Sequence, residues 1–418
     1  MSECPENPRS VDDVDIFAPE TIENWYPTYD LLREEAPIYH VPETQTYFLT
    51  RYEDIIQVLR NTDIFLRGGG TSRPLLSDPN AVQTFKEGWP KRTVLGSNPP
   101  DHRRYRDMVD HFFSVIGAEK QTDLITGIVN DLIDKWIDDG EVEYVKSFAE
   151  PLPSMVITIM MGFPLEDLEN LKLWSEAWVA PFSLQLTAEE ERIAATRMVE
   201  FQHYIHDHIQ QRRKYPGDDV VSYLVQNPVK LHSETRMLTD AEIINMVDHL
   251  YIGGNETTTF ALTSGMWLLI QNPILQDALR SAPEKARSFV EEVLRLESPT
   301  QGMDRHAAED TEISGVKIPK GSHVHIRYAA ANRDKRQFNC PVDIDIDRKN
   351  AHKHLAFSLG ETHCPGAGLT RLEQTIAVQT ILKRMENFSF SPDKNSFQHH
   401  LNFTLRSFTD LHFTFDKI

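Results

Sequence analysis

The chain has 418 residues, 40% of them hydrophobic and 25% charged, and a formal net charge of −20. This is the composition of a globular protein able to bury a large core. Its acidity excludes nucleic acid as the main partner, because phosphate binding needs basic patches, and no run of about 18 apolar residues exists to span a membrane.

The opening segment MSECPENPRSVDDVDIF is polar and acidic and does not read as a signal peptide. Residues 36–51, APIYHVPETQTYFLTR, read as a β-hairpin. Helical patterns dominate from about Pro100 to Leu296. NPPDHRRYRDMVDHFF starts a helix, with Pro100 near its beginning and Asp101 as a plausible cap. In DLITGIVNDLIDKWIDD, the apolar residues Ile125, Ile128, Val129, Leu132 and Trp136 recur at three- and four-residue steps. The run MVITIMMGFP, Met155–Pro164, is too short to span a membrane and reads as a buried helix. A longer helix is expected over Ala241–Ile270, ended by Asn272 and Pro273, and another over Ala286–Leu296. Residues 313–326, ISGVKIPKGSHVHI, and 401–415, LNFTLRSFTDLHFTF, look strand-like. The sum is a mainly helical protein with small β-sheets. No repeat or Gly/Ser linker divides it, and one domain over residues 1–418 is expected.

Cys4, Cys340 and Cys364 are too few and too scattered for a disulfide framework. A reducing, cytoplasmic compartment is therefore expected. Cys364 sits in HLAFSLGETHCPGAG, where three readings compete. It could be a buried structural thiol. It could be part of a zinc site with His352, His354 and His363, although zinc usually takes two separated ligand pairs. The third reading is a haem thiolate. Pro365 suits the first position of a helix, and LTRLEQTIAVQTILKRM continues with helical spacing. The sulfur would then lie where backbone N–H groups and the positive end of the helix dipole converge, which lowers a thiol's pKa. Gly360 and Gly366 leave room for a flat macrocycle.

Phe357, Gly360, Cys364 and Gly366 match Phe-x-x-Gly-x-x-x-Cys-x-Gly, and here the sequence resembles the cytochrome P-450 family. The resemblance implies the P-450 fold. Haem b (heme b, iron protoporphyrin IX) would lie between a long distal helix and the cysteine-loop helix, with Cys364 on the iron. Three further stretches, in the family's order, extend it. Glu292 and Arg295 in EEVLR would form a structural pair with Arg348. In YIGGNETTTF, Gly253 and Gly254 would make room for dioxygen, and Glu256 and Thr257 would relay protons; read alone, the two glycines could equally be a helix-packing site. His102, Arg106 and Arg305 match the positions that meet the haem propionates.

Two residues depart from the pattern. Thr362 stands where a propionate-binding His is usual, with His363 one place later, and Ser358 replaces a Gly.

The resemblance builds the substrate pocket from segments 66–96 and 178–190 and from His249, Ile252, Gly253, Thr300, Gln301, Met303, Phe403 and Thr404. His249 and Gln301 would be polar enough to hydrogen-bond a substrate, though a helix histidine is more often a satisfied core residue. The Gly-rich stretch RGGGTSRP, residues 67–74, lacks the context of a phosphate loop. The implied activity is a monooxygenase placing one oxygen atom of O2 into a small, largely apolar molecule. With no flavin or iron–sulfur domain expected in the chain, electrons are expected from a separate ferredoxin-type partner, with Arg103 and Arg104 as candidate contacts. The alternatives are a haem-binding recruitment protein that does not turn over, and a zinc hydrolase.

Overall fold

The computed structural model describes residues 10–42, 44–67, 76–183 and 186–418. Cys4 and most of RGGGTSRP lie outside them, as do parts of the two expected pocket segments.

The principal helices are α1 (Trp25–Glu35), α2 (His102–Asp107), α3 (Thr122–Ile133), α4 (Pro151–Met161), α5 (Leu168–Val179), α6 (Ala188–Lys214), α7 (Asp240–Gln271), α8 (Ala286–Glu297) and α9 (Ala367–Arg384). The long helix α7 begins where Thr239 and Glu242 form a capping box. The Glu242 carboxylate also takes hydrogen bonds from Arg236 and Tyr105, so the cap is tied to the neighbouring chain. It ends at Asn272 before a proline, as its sequence requires. Asp101 precedes α2 but does not cap it; its carboxylate accepts from the backbone of His232 instead.

Five strands, β1 (Ile38–Val41), β2 (Thr46–Leu49), β3 (Phe65–Leu66), β4 (Met303–Ala307) and β5 (His323–Ile326), form a sheet in the order β1-β2-β5-β4-β3. The 36–51 hairpin is therefore present. Residues 313–326 divide between a small separate hairpin and β5. Of residues 401–415, only the end, from His412, is strand; the earlier part makes isolated bridges.

The main core is helical, and Ile125, Ile128, Val129, Leu132 and Trp136 all lie in it. A second cluster covers the sheet. A small third one decides the site: Ala261 of α7, Val290 and Leu294 of α8, and Phe357 and Ala367 pack together, with Cys364 against them. Glu292, Arg295 and Arg348 meet at the far side of α8. Glu292 and Arg295 are both 0% exposed, with Arg295 donating to both carboxylate oxygens at 2.6 and 2.9 Å and Arg348 Nε donating at 3.1 Å. Both guanidiniums also donate to carbonyls of residues 339–343. The pair thus pins the irregular chain that leads to the cysteine loop.

The two adjacent glycines of α7, Gly253 and Gly254, do different work. A Cβ at Gly254 would come within 3.2 Å of Ile157 on α4, whereas one at Gly253 meets nothing within 4 Å. Gly254 lets two helices approach, and Gly253 faces open space. Alanine is worth about 1 kcal/mol over glycine inside a helix, and overpacking costs about 1–3 kcal/mol. Gly253→Ala is expected to raise the urea midpoint and Gly254→Ala to hold or lower it, measured by circular dichroism.

Candidate functional site

The cysteine loop is shaped by its backbone. Ser358 and Gly360 both take left-handed conformations, with φ of 61° and 68°, which explains why a glycine is favoured at the first of them. The chain then folds back so that Cys364 N–H donates to the Phe357 carbonyl at 2.8 Å. Thr362 and Ser358, the two departures noted in the sequence, meet each other: their hydroxyls lie 3.0 Å apart. Each thus supplies the other's partner.

Helix α9 starts at Ala367 with Gly366 as its cap, so Pro365 precedes the helix instead of opening it. The N–H groups of Gly366 and Ala367 still reach the sulfur. The expected lowering of the thiol's pKa does not follow from the polypeptide alone. Burial pushes Cys364 up, and the pull of those N–H groups and of Arg106 and Arg371 does not overcome it. A thiolate here needs a cation at the sulfur.

Positive charge gathers above the loop. His102, Arg106 and Arg305 come together as expected, and Arg67 joins them. Arg106 is neutralised by Asp110 at 2.8 Å and also donates to the His363 carbonyl at 2.7 Å. Among the described residues, Arg67 and Arg305 have no carboxylate partner. Burial, then Arg305, lowers Arg67 to about 10. The His102 ring is already engaged, with Nε2 2.9 Å from the Glu361 carbonyl and Nδ1 3.2 Å from Arg67. Burial, then Arg67, lowers it to about 4, so the ring is neutral and ties Arg67 to the cysteine loop. A direct bond from His102 to a propionate would cost one of these contacts. Two unpaired guanidiniums in an enclosed place call for two negative charges.

On α7, Thr257 donates to the Gly253 carbonyl at 2.7 Å. Glu256 accepts from Ser175 of α5 at 3.2 Å. Ser175 is fully buried and also receives Asn255 Nδ2 at 3.3 Å. Burial, then Glu176, pushes the Glu256 carboxyl up to about 7. Lys172, bonded to Glu150 and 3.7 Å from Glu176, is part of the same group and is half-exposed. The acid therefore sits within electrostatic reach of a charged group that is partly open to solvent.

His249, Ile252, Gly253 and Thr257 share one face of α7. The His249 side chain is accessible although its neighbours Asp248 and Leu250 are buried. Burial, then Arg67, nevertheless lowers it to about 4. Accessible surface in a desolvated place means an internal space. Met303 and Arg305 share one face of β4 by strand alternation, and Met303 is 45% exposed. Thr300 and Thr404 are half-buried.

Two expected pocket residues do not belong there. Gln301 is 0% exposed; it accepts from Tyr29 and donates to the carbonyls of Glu297 and Ser298, so it is a satisfied core amide. The Phe403 ring packs on His325, Phe48 and Trp25. His325 pairs with Asp304 across the strands, which puts this ring on the sheet face opposite Met303 and Arg305. There it helps enclose the buried Arg327 guanidinium. Of the candidate partner contacts, Arg103 is paired with Asp107 and Asp110; Arg104 is exposed. Among the described residues, no group of three or more His, Cys, Asp and Glu could hold a metal ion, so the zinc alternative finds no ligand set.

Sequence reasoning missed Arg67 and Ser175. Arg67 was legible only as the end of a Gly-rich loop; its backbone is held by Asn98, which accepts from its N–H and donates to its carbonyl at 2.8 Å each. No short-range signal marks Ser175.

Comparison with known proteins agrees with this geometry. Residues 34–408 match the Cytochrome P450 family. The chain is 32% identical to the biotin biosynthesis cytochrome P450 of Bacillus subtilis, over 89% of this chain and 92% of that protein. It is 33% identical to the mycinamicin IV hydroxylase/epoxidase of Micromonospora griseorubida, over 85% and 87%. Among solved structures, P450BioI in complex with a hexadec-9Z-enoic acid-ligated acyl carrier protein superimposes with a TM-score of 0.84 at 31% identity, covering 95% of this chain and all of that one. With these matches over most of its length, the chain belongs to the cytochrome P450 family of monooxygenases.

Proposed function

We propose that the protein is a haem-thiolate monooxygenase with Cys364 as the iron ligand, and that it oxidises a small, largely apolar molecule with electrons from a separate ferredoxin-type protein. The observation that carries this is the enclosed sulfur facing two backbone N–H groups, set against the Ala261 face of α7. The residues present fit iron protoporphyrin. The thiol is a soft donor, Gly253 leaves free space on its face of α7, and the two unpaired guanidiniums of Arg67 and Arg305 answer two propionates in number. Arg106 and His102 would hold these in place. When bound, the haem supplies activation of dioxygen, which no side chain can provide.

The protein's own residues would orient and protonate. Thr257, fixed by the Gly253 carbonyl, presents its hydroxyl oxygen to the open side. Glu256 supplies the proton and is refilled through the Ser175, Lys172, Glu150 and Glu176 group. His249, neutral and accessible, gives the substrate space a hydrogen-bonding group, with Ile252, Gly253 and Thr257 on the same face of α7. No helix among the described residues is long and apolar enough to cross a membrane. The exposed pair Val115 and Ile116, at 56% and 71%, lies beside Gly368 near the start of α9. That pair would offer an apolar contact for the electron donor, and the exposed Arg104 a basic one elsewhere on the surface.

The test is the reduced carbon monoxide spectrum of the purified holoprotein. The strongly red-shifted band of a thiolate ligand is expected, and Cys364→Ser is expected to lose it; a wild-type spectrum without that shift overturns the reading.

A second expectation concerns pH. Glu256 is a proton donor only while protonated, and its group titrates at about 7. The donor form is therefore full below that value and lost as pH rises through it. Product formed per electron pair consumed should fall from pH 6 to pH 8. Glu256→Gln should lower turnover by about 100-fold and flatten the profile, as followed by oxygen uptake against product yield.

A further inference from the structure

The carboxylate beside Glu292 faces the other way. Glu291, 8% exposed, accepts from Arg371 through Nε at 2.5 Å and Nη2 at 3.1 Å. His354 Nε2 stands 3.0 Å from the same carboxylate. The other ring nitrogen of His354 accepts the Ala356 N–H at 3.2 Å, so Nε2 carries the proton and the ring is neutral. What remains is one carboxylate against one guanidinium.

These partners bracket the cysteine loop. His354 enters it and Arg371 follows it on α9. The Arg371 guanidinium carbon lies 4.6 Å from the centre of the Phe357 ring, and Phe357 is the residue whose carbonyl takes the Cys364 N–H. Glu291 therefore touches the ligand only through others. Its bond fixes where the guanidinium stacks and how much of its charge is left uncompensated beside the sulfur.

We infer that Glu291 is a positioning residue for the thiolate end of the site, holding Arg371 on Phe357 and cancelling its charge, and so sets the reduction potential of the bound iron. The inference rests on the haem-thiolate reading above. Reduction adds one electron to the iron and no proton, so the site becomes more negative by one charge. A bare guanidinium nearby favours that state, and loss of the guanidinium disfavours it.

The test is a dithionite titration of the holoprotein with a redox dye, on variants whose thermal unfolding and haem content are recorded alongside. Glu291→Gln is expected to raise the potential, by about three- to tenfold in the reduction equilibrium, tenfold being about 59 mV for one electron. Arg371→Gln is expected to lower it, and the double variant to return toward the wild type. Potentials equal to the wild type in both single variants overturn the inference, as does a lowering in Glu291→Gln. If Glu291→Gln does not accumulate with haem, Arg371→Gln decides alone: a lowered potential supports the role and an unchanged one removes it. A wild-type protein without the thiolate-type carbon monoxide band instead overturns the underlying reading, before either variant is made.

Discussion

Two consecutive carboxylates on α8 hold the protein's central loop from opposite sides. Glu292 gathers Arg295 and Arg348, and Glu291 gathers Arg371 and His354. Neighbouring side chains on a helix point about 100° apart, so one short helix can serve two clusters. Taking charges out of water costs several kcal/mol per ion, and only close pairing with further hydrogen bonds offsets it. Both clusters meet that condition. The guanidinium of Arg295 satisfies three backbone carbonyls besides its carboxylate, and these come from irregular chain that has few ladder bonds of its own. A buried ion pair is weak evidence of stability, but here it decides which path the chain takes toward Cys364.

The loop that results is a compromise between backbone and ligand. Two left-handed residues in three positions, Ser358 and Gly360, turn the chain so that the Phe357 carbonyl and the Cys364 amide meet. Ser358 accepts a backbone conformation that glycine would take freely. Its hydroxyl then bonds with Thr362, the other unusual residue. With threonine at position 362, the loop is linked to the arginine cluster from the Glu361 carbonyl through His102 to Arg67, and from the His363 carbonyl to Arg106. The Ser358–Thr362 pair thus lies in the same loop as the Glu361 carbonyl that meets His102.

Much of this was legible in the sequence where spacing alone sets geometry. The 3.6-residue period placed α7 and α8 to within a residue or two, and the caps at Thr239 and Asn272 are local chemistry. The motifs pointed to Cys364, His102 and Arg106, and a further match to Arg305, and these residues lie near one another. What failed depended on packing between distant segments. Gln301 sits one residue from Thr300, yet its amide is consumed by Tyr29, a residue far back in the sequence. Phe403 is drawn to the wrong sheet face by the buried Arg327 that needs aromatic cover. Gly254 could not be told from Gly253 because only the neighbouring helix, through Ile157, separates their roles. Arg67 was invisible because its importance lies in a partner it lacks.

The long helix also shows why a shifted carboxyl is not by itself a functional one. Asp248 and Glu256 lie two turns apart on α7, and burial raises both. Asp248 leaves one carboxylate oxygen buried with no partner, and its main electrostatic neighbour is Lys91. It can stay protonated, but among the described residues no group hydrogen-bonds to that oxygen. Glu256 has the same neutral form together with a bonded hydroxyl, Ser175, and a half-exposed lysine and acids beyond it. The energetic cost of enclosing an acid is comparable in kind at the two places. In the proposed relay, Glu256 is the one of the two with a bonded hydroxyl behind it and Thr257 beside it. Connection, more than the size of the shift, separates a proton donor from a buried side chain that has simply kept its proton.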